Sequence, residues 1–302
     1  MTVATIDIGT NSVLLLIAER RDGVLVPLLE RATITRLGQN VDATRRLLPE
    51  AIERTLSCLA SYAEELRSFH VERLEAVGTS AMRDAAGGSE FIERAARLLD
   101  ERPRVISGDE EAELTFHGAL SGLHVEGPVS VFDVGGGSTE IITGNAGTKP
   151  SFSRATSLDV GSVRLFERHV RNDPPRADEL GRARDDIRAA LATVEPPGAG
   201  ITLVGVAGTV TTLAAIELGL VDYDPARVHG SRLSRASAVA LADQLAKQTL
   251  AERQALAGLE PKRADVIVVG AAIVREVLDW SGCSELLVSD RGVRWGLAER
   301  LA

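Results

Sequence analysis

Aromatic residues make up only 3% of this 302-residue chain, and there are only two cysteines. Few aromatic rings argue against a nucleic-acid platform on which exposed rings stack the bases. Cys58 and Cys283 lie far apart and show no CxxC or Cys/His spacing, so a zinc site or a disulfide framework has little support. A reducing compartment fits this cysteine usage best.

Long apolar runs are also lacking. None approaches the roughly 20 residues that a membrane span requires. The N-terminus enters a strand-like VATIDIG without the basic and apolar regions of a signal peptide. We therefore expect a soluble, cytoplasmic protein with no membrane partner.

Basic residues are in the minority. The chain has 34 Lys and Arg against 43 Asp and Glu, which gives a net charge of -9. A general polyanion-binding surface, such as nucleic acid requires, is therefore not expected. An anionic ligand would need local donors and a metal ion.

Apolar residues make up 44% of the chain, enough for a sizeable core, and the length suggests two domains. Short β-branched runs alternate with helical patterns, which is typical of an α/β protein. The predicted strands are Val3–Ile6, Val13–Ala18, Leu74–Gly78, Val129–Phe132, Glu140–Thr143, Ile201–Val206 and Glu285–Val288. The predicted helices are Pro49–Phe69, Ser89–Glu101, Asp109–Leu123, Ala177–Val194, Thr209–Gly219, Ser234–Gln248 and Lys262–Ser281. A Gly-Pro break within Gly122–Pro128 places the domain boundary there.

One internal similarity stands out. Asp7-Ile-Gly-Thr-Asn-Ser12 and Asp133-Val-Gly-Gly-Gly-Ser138 align at an offset of 126 residues, each between two β-rich runs. A small-residue turn of this kind can point successive N–H groups inward and make a concave anion site. The pair therefore predicts two phosphate clamps. Ordinary Gly-rich hairpins are the plain alternative, and neither a Walker motif nor a GxGxxG fingerprint occurs.

Six motifs together resemble the exopolyphosphatase/guanosine-pentaphosphatase family of the actin-like ATPase superfold, in the family's order over nearly the whole chain. They are DIGTNS, GTSAMR (78–83), SGDEEAELTF (107–116), VFDVGGGSTEI (131–141), GVAGTVTTLAA (205–215) and SDRGVRWG (289–296). The resemblance implies two ribonuclease-H-like domains with a cleft between them. We expect residues 1–124 and 125–302 to form these domains, with the last helix free to pack back on the first.

The resemblance also implies Mg²⁺-dependent removal of a terminal phosphate by water. Glu111, immediately before Ala112, matches the family's catalytic glutamate, and a carboxylate in the first turn of a helix can activate water. The S-x-x-E spacing from Ser107 to Glu110 predicts a capping box instead for Glu110. A solvated glutamate satisfying the helix dipole is the alternative for Glu111.

Hard carboxylate oxygens suit Mg²⁺. Asp133 and Glu140 flank the second turn and match the family's functional carboxylates, and Asp7 holds the equivalent place in the first turn. We expect metal proximity for all three, least so for Asp7. Asx-type bonding within the turn is the alternative for both aspartates.

The expected phosphate contacts come from four segments of the chain. Arg83 matches the family's cleft arginine, although the family's asparagine four residues later is Gly87 here. A surface ion pair is the alternative for Arg83. The predicted substrate-binding residues are Thr10, Asn11, Ser12, Arg83, Gly135, Gly136, Gly137, Ser138, Thr139, Gly208 and Thr209. A plain strand-to-helix turn is the alternative for Gly208 and Thr209. Arg291 and Arg294 are expected at a solvated helix start, with contact to a phosphate chain as the alternative, and His229 is expected as a weak phosphate contact at most.

The leading hypothesis is an exopolyphosphatase that releases orthophosphate from inorganic polyphosphate. Hydrolysis of guanosine pentaphosphate is the alternative within the family, and the motifs do not separate the two substrates. A small-molecule kinase and a non-catalytic sensor of nucleotides or polyphosphate are hypotheses from other classes. The family also implies a homodimer, although nothing in the sequence identifies the interface.

Overall fold

A computed structural model describes the backbone of all 302 residues and every side chain except that of Asp84. The strands are β1 (Thr2–Ile8), β2 (Ser12–Arg21), β3 (Val24–Ile34), β4 (Arg73–Gly78), β5 (Arg104–Val105), β6 (Gly127–Val134), β7 (Thr139–Ala146), β8 (Ser151–Leu158), β9 (Thr202–Val206), β10 (Arg232–Ser234) and β11 (Glu285–Val288).

The described chain also contains thirteen α-helices and a short 3₁₀ turn at Pro261–Arg263. They are α1 (Val41–Thr44), α2 (Pro49–Ser68), α3 (Ser80–Asp84), α4 (Gly88–Leu99), α5 (Gly108–Leu120), α6 (Ser162–His169), α7 (Ala177–Leu191), α8 (Ala207–Glu217), α9 (Pro225–Val228), α10 (Arg235–Lys247), α11 (Leu250–Gln254), α12 (Ile267–Ser281) and α13 (Val293–Leu301). Within the described part of the chain, no helix combines the length and apolarity needed to cross a bilayer.

The chain divides into two compact units. Unit 1 consists of Met1–Ser121 together with Gly292–Ala302, and unit 2 is Gly122–Arg291. The chain thus passes from unit 1 to unit 2 after Ser121 and returns after Arg291, so that α13 belongs with the N-terminal strands.

Unit 1 contains a five-stranded sheet in the order β3-β2-β1-β4-β5. The first three strands form an antiparallel meander, and β4 and β5 run parallel to β1. Their alternating apolar residues are buried against α2 and α4 in a core that includes Ile6, Leu15, Leu59 and Phe91. In this order only β2 runs antiparallel to β1, β3, β4 and β5. The same arrangement is found in ribonuclease-H-like domains.

The C-terminal helix is held in unit 1 by close backbone packing. A Cβ on Gly118 of α5 would overlap the Gly292 carbonyl, and a Cβ on Gly296 of α13 would overlap the Leu114 carbonyl. Two glycines therefore let α5 and α13 approach each other. On its other side α13 buries Trp295, which is 1% exposed, beside Val3 and Leu16.

Unit 2 repeats this plan. Its six-stranded sheet has the order β10-β11-β9-β6-β7-β8, in which β6, β7 and β8 form the meander and β9 and β11 run parallel to β6. The nearly all-apolar α12 is the central element of its core, with Ile267, Val274 and Val277 fully buried.

The predicted α/β class and all seven predicted strands are confirmed. The internal similarity is also confirmed, because Asp7 pairs with Leu14 across β1 and β2 in the same register in which Asp133 pairs with Glu140 across β6 and β7. The prediction missed four strands, namely β3 and β8, the third strand of each meander, and the short β5 and β10. It also began α12 too early, since Lys262 lies in the 3₁₀ turn and the helix starts at Ile267.

Candidate active site

The two predicted phosphate turns have the same backbone hydrogen bond. The Gly9 amide donates to the Ser12 carbonyl at 3.0 Å, and the Gly135 amide donates to the Ser138 carbonyl at 3.0 Å. The first turn follows the carboxyl end of β1 and leads into β2, and the second follows the carboxyl end of β6 and leads into β7. The likeness between the halves therefore extends from sequence to local geometry.

The carbonyls of the first turn are bonded to the segment after β3. Gly38 donates its amide to the Thr10 carbonyl at 2.8 Å, and Thr35 and Arg36 both donate to the Asn11 carbonyl. The Thr10 hydroxyl is also hydrogen-bonded to the Ser80 hydroxyl at 2.8 Å. The amides of Thr10 and Asn11 donate to no described group, so they remain available for an anion.

In the second turn, too, the carbonyls accept hydrogen bonds from a neighbouring segment. Ser162 donates to the Gly135 carbonyl, and the amides of Val163 and Arg164 donate to the Gly136 carbonyl at 3.0 Å each. The Arg164 side chain adds a bond from Nε to the Gly137 carbonyl at 2.6 Å. With the carbonyls bonded outward, the backbone forms a concave row of donors.

The donors of that row come from three consecutive residues. The amides of Gly136, Gly137 and Ser138 donate to no described group. The start of α6 approaches this turn so closely that a Cβ on Gly161 would overlap the Gly136 carbonyl oxygen. Glycine at 161 is therefore required for the second turn to keep its shape.

Asp7 and Asn11 leave buried polar atoms without partners in unit 1. Asp7 is 9% exposed and Asn11 7%, yet Asp7 Oδ1 and both Asn11 amide atoms have no hydrogen-bond partner. Burial raises the pKa of the Asp7 carboxyl to about 6, and the Arg294 guanidinium opposes that shift. Because buried polar groups are nearly always paired, we expect water, an ion or a polar ligand to satisfy these atoms.

Asp133 and Glu140 face each other in unit 2. They are directly paired across β6 and β7, which brings the Cβ atoms of such residues to about 5 Å. Glu140 is 5% exposed, and its Oε1 accepts a hydrogen bond from Ser157 at 2.8 Å. The residue at the place of Glu140 in the first turn is Leu14, so only the second turn has a carboxylate pair.

Glu111 and Arg83 are in contact. The Arg83 Nη1 atom donates to Glu111 Oε2 at 3.1 Å and to the Ile106 carbonyl at 3.1 Å. Arg83 lies on α3, which follows β4, and Glu111 lies in the first turn of α5, after β5. Since β1, β4 and β5 are parallel, the Asp7 turn, Arg83 and Glu111 all follow the carboxyl edge of one sheet, where ligands of open α/β sheets bind.

Of the two hydrogen bonds in the capping box predicted for Ser107 and Glu110, only one is present. Ser107 accepts a hydrogen bond from the Glu110 amide at 3.2 Å, as an N-cap should. The Glu110 carboxylate does not return to the cap, because it is bound by Arg104 at 2.6 Å and by Arg300 at 3.1 Å. Its role is structural, as expected, but it fastens α13 rather than the helix start.

Two predicted contact residues use their side chains elsewhere. Thr139 is fully buried and donates its hydroxyl to the Val160 carbonyl at 2.5 Å. Thr209 is 2% exposed and packs against Gly270 of α12. The Gly208 backbone lies directly beneath the Arg263 guanidinium. Only backbone atoms of these three residues are suited to meet a ligand.

The expectation of a solvated helix start is wrong for Arg294. Its side chain is 11% exposed and donates to Glu30 Oε2 at 2.7 Å, which also accepts the Trp295 indole N–H. His229 lies in unit 2, with Nδ1 3.1 Å from Asp290 Oδ1. Ser80, Arg164 and Glu30 were missed by the sequence reasoning, and only Ser80, inside GTSAMR, carried a motif signal.

The donor set suits a cation that keeps much of its own water shell. Among the described residues, no three His, Cys, Asp or Glu side chains gather as a metal-binding group. Mg²⁺ is usually held by one or two carboxylates and completes its shell with water and substrate phosphates. In unit 2, the facing Asp133 and Glu140 fit that requirement. In unit 1, Asp7 offers one buried carboxylate oxygen without a hydrogen-bond partner.

Comparison with known proteins agrees with this geometry. Residues 16–301 match the family model described as the Ppx/GppA phosphatase family. Exopolyphosphatase 2 of Mycobacterium tuberculosis is 42% identical over 99% of this chain and 98% of its own length. A guanosine-5'-triphosphate,3'-diphosphate pyrophosphatase of Vibrio atlanticus is 30% identical over 98% of this chain, but over only 58% of its own length.

A crystal structure of the Aquifex aeolicus member of the same family superposes with a TM-score of 0.84. It is 38% identical and covers 100% of this chain and 97% of the other. The fold and the sequence together define a phosphatase built from ribonuclease-H-like domains. The chain belongs to the Ppx/GppA phosphatase family.

Proposed function

We propose that this protein is an exopolyphosphatase that hydrolyses the terminal phosphoanhydride bond of inorganic polyphosphate and releases orthophosphate. The observation that supports the proposal is the pair of similar turns. In each turn the carbonyls accept hydrogen bonds from a neighbouring segment, whereas the central amides donate to no described group. Such donors match the oxygens of linked phosphate groups. The 42% identity with an exopolyphosphatase over nearly the full length supports the same choice.

In the proposed reaction, the central amides of each turn bind phosphate oxygens and orient the chain. Glu111 accepts a proton from the attacking water, and the carboxylate is held in place by Arg83 at 3.1 Å. Water oxygen bonds to the terminal phosphorus, the P–O bond to the next phosphate breaks, and the shortened chain leaves with that electron pair. Because binding already fixes the water and the phosphorus relative to each other, less translational and rotational entropy is lost on reaching the transition state, and the barrier is lower.

Asp7, Asp133 and Glu140 are proposed to hold Mg²⁺. The bound ion would neutralise the negative charge that moves toward the leaving oxygen. Arg83 would add a fixed fork of donors for phosphate oxygens. Substrate contacts from Thr10, Asn11 and Ser12 and from residues 135–139 belong to the same proposal. For Thr139, Gly208 and Thr209 it extends to backbone atoms only.

Guanosine pentaphosphate is the second candidate substrate, favoured by the 30% identity with a pyrophosphatase of that class. That relative is matched over little more than half of its own length, so it is the weaker guide. A cytoplasmic location and a homodimer stay predictions.

The test is orthophosphate release by the purified protein with Mg²⁺, with EDTA as the control. Long polyphosphate and guanosine pentaphosphate are compared by kcat/KM. The proposal predicts the higher value for polyphosphate and no release in EDTA. Folded protein that releases no orthophosphate from polyphosphate would contradict it, and a higher kcat/KM for guanosine pentaphosphate would favour the second candidate.

A further inference from the structure

A loop of unit 1 joins the first phosphate turn to the segment that carries Arg83. We call residues 35–48 the arginine loop. At its start, Gly38 donates to the Thr10 carbonyl at 2.8 Å and Thr35 to the Asn11 carbonyl at 3.0 Å. The loop is therefore bonded directly to the backbone of the candidate site.

At its other end, the arginine loop is bonded to residue 86. The Ala86 amide donates to the Arg45 carbonyl at 2.9 Å, and the Leu47 amide donates to the Ala86 carbonyl at 3.1 Å. Arg46 and Ala86 form a parallel β-bridge. Bridged Cα atoms lie about 5 Å apart, and three residues of chain span at most about 11 Å. The Cα atoms of Arg46 and Arg83 are therefore within about 16 Å of each other.

Arg45 and Arg46 are exposed and have no carboxylate within ion-pair distance in the described structure. Most other arginines of unit 1 are paired, for example Arg31 with Glu65, Arg94 with Glu53 and Arg104 with Glu75. In a chain with a net charge of -9, Arg45 and Arg46 are two adjacent arginines without a carboxylate partner among the described residues. Unpaired guanidinium groups bind phosphate oxygens well because their donors form a planar fork.

The backbone holds this pair in a fixed place. Arg45 has a φ of 54° and ends α1 in the left-handed region, where residues with a Cβ are uncommon. The strained residue is fixed on one side by the bond from Ala86 and on the other by the bond from its own amide to the Val41 carbonyl. A mobile surface loop would relax to an ordinary conformation instead.

We propose that Arg45 and Arg46 form a subsite for phosphates of the chain that lie beyond the bond being cleaved. The proposal rests on the function proposed above, because only a linear phosphate chain extends past the Arg83 position in repeated anionic units. A tripolyphosphate is too short to gain much from the subsite, and the nucleoside of guanosine pentaphosphate offers no such repeat. Arg45 and Arg46 would thus favour long polyphosphate over short substrates.

The test uses the double variant Arg45→Gln/Arg46→Gln in the full chain. Its control is Arg67→Gln/Arg97→Gln, which removes the same charge at two other exposed arginines of unit 1. Orthophosphate release is measured on long polyphosphate, tripolyphosphate and guanosine pentaphosphate. We expect KM for long polyphosphate to rise at least about threefold with a weaker salt dependence. The values for the two short substrates should stay within about twofold of wild type.

A rise in KM that is equal on all three substrates, or equal in the control variant, would overturn the subsite. Binding of fluorescently end-labelled polyphosphate, measured by anisotropy, provides an arm that needs no turnover. If wild-type protein released no orthophosphate from polyphosphate, the proposed function would fail by itself. The subsite would then be retained only if the labelled chain bound more weakly to the Arg45/Arg46 variant than to the control, and unchanged binding would overturn it.

Discussion

Arg83 and Glu111 form an ion pair at 3.1 Å, and the same Arg83 nitrogen also donates to the Ile106 carbonyl. The two side chains come from separate segments that follow β4 and β5. Glu111 is 13% exposed and Arg83 30%. A partly exposed pair of this kind adds only modest stability, and its main effect is to fix the position of the Glu111 carboxylate.

Replacing Arg83 by Lys tests that positioning role. An ammonium can replace Nη1 in its bonds to Glu111 and the Ile106 carbonyl, but it lacks the other guanidinium nitrogens that would form a planar fork for phosphate oxygens. We expect kcat/KM on polyphosphate to fall about tenfold or more, with a melting temperature close to that of wild type. Arg94→Lys is the control, because Arg94 forms a comparable surface pair with Glu53. Equal losses in both variants would refute a special role for Arg83.

Asp7→Asn tests the proposed metal contact in the first turn. The amide keeps the size of the side chain and removes its charge, so the Mg²⁺ concentration at half-maximal activity should rise about tenfold or more. Burial already disfavours the charged form of Asp7, so the variant should not melt earlier than wild type in EDTA. Asp22→Asn, in an exposed turn, is the control. Unchanged Mg²⁺ dependence in Asp7→Asn would remove Asp7 from the metal site.

Gly161→Ala tests the second phosphate turn. The added Cβ would overlap the Gly136 carbonyl oxygen, so the turn must shift and its donors lose their alignment. We expect kcat/KM on polyphosphate to fall about tenfold or more. Gly181→Ala on α7 meets no atom within 4 Å and should keep full activity, with equal or greater stability. Full activity in Gly161→Ala would show that the geometry of this turn does not matter.

The acid stability of the protein should depend on Glu110. Hydrogen bonds from Arg104, and then from Arg300, lower the pKa of Glu110 from 4.5 to about 2. A carboxyl whose pKa is lower in the folded state stabilises that state above the unfolded pKa. That stabilisation disappears as the pH falls from about 4.5 toward 2. The difference in melting temperature between wild type and Glu110→Gln should therefore shrink between pH 7 and pH 3. A difference that stays constant with pH would contradict this assignment.

The hairpin of each half could be predicted because its signals are local. In Asp7–Ser12 and Asp133–Ser138, apolar strands flank small turn residues, and both patterns lie within a dozen residues. The strand β3 was missed because Pro27 interrupts it, and a proline inside a run argues against a strand. The structure tolerates Pro27 because β3 is an edge strand with a register shift opposite Ile17 and Ala18.

Contacts between distant segments could not be predicted. The Glu110 carboxylate is bound by Arg104 and also by Arg300, which is 190 residues away along the chain. The capping-box spacing is a local preference, and a tertiary ion pair overrode it. The burial of Arg294 has the same origin, since its partner Glu30 lies on a strand that the sequence did not reveal. Glu111 could be proposed from its motif, but its contact with Arg83 required the fold.

Substitution of Glu111 tests whether this carboxylate activates the water that attacks the terminal phosphate. Orthophosphate release from long polyphosphate with Mg²⁺ is compared for wild type, Glu111→Gln and Glu113→Gln, an exposed glutamate on the same helix. We expect Glu111→Gln to lower kcat about 100-fold or more, with nearly unchanged polyphosphate binding and melting temperature, whereas Glu113→Gln should behave as wild type. A Glu111→Gln protein that hydrolyses polyphosphate at the wild-type rate would show that Glu111 does not activate the attacking water.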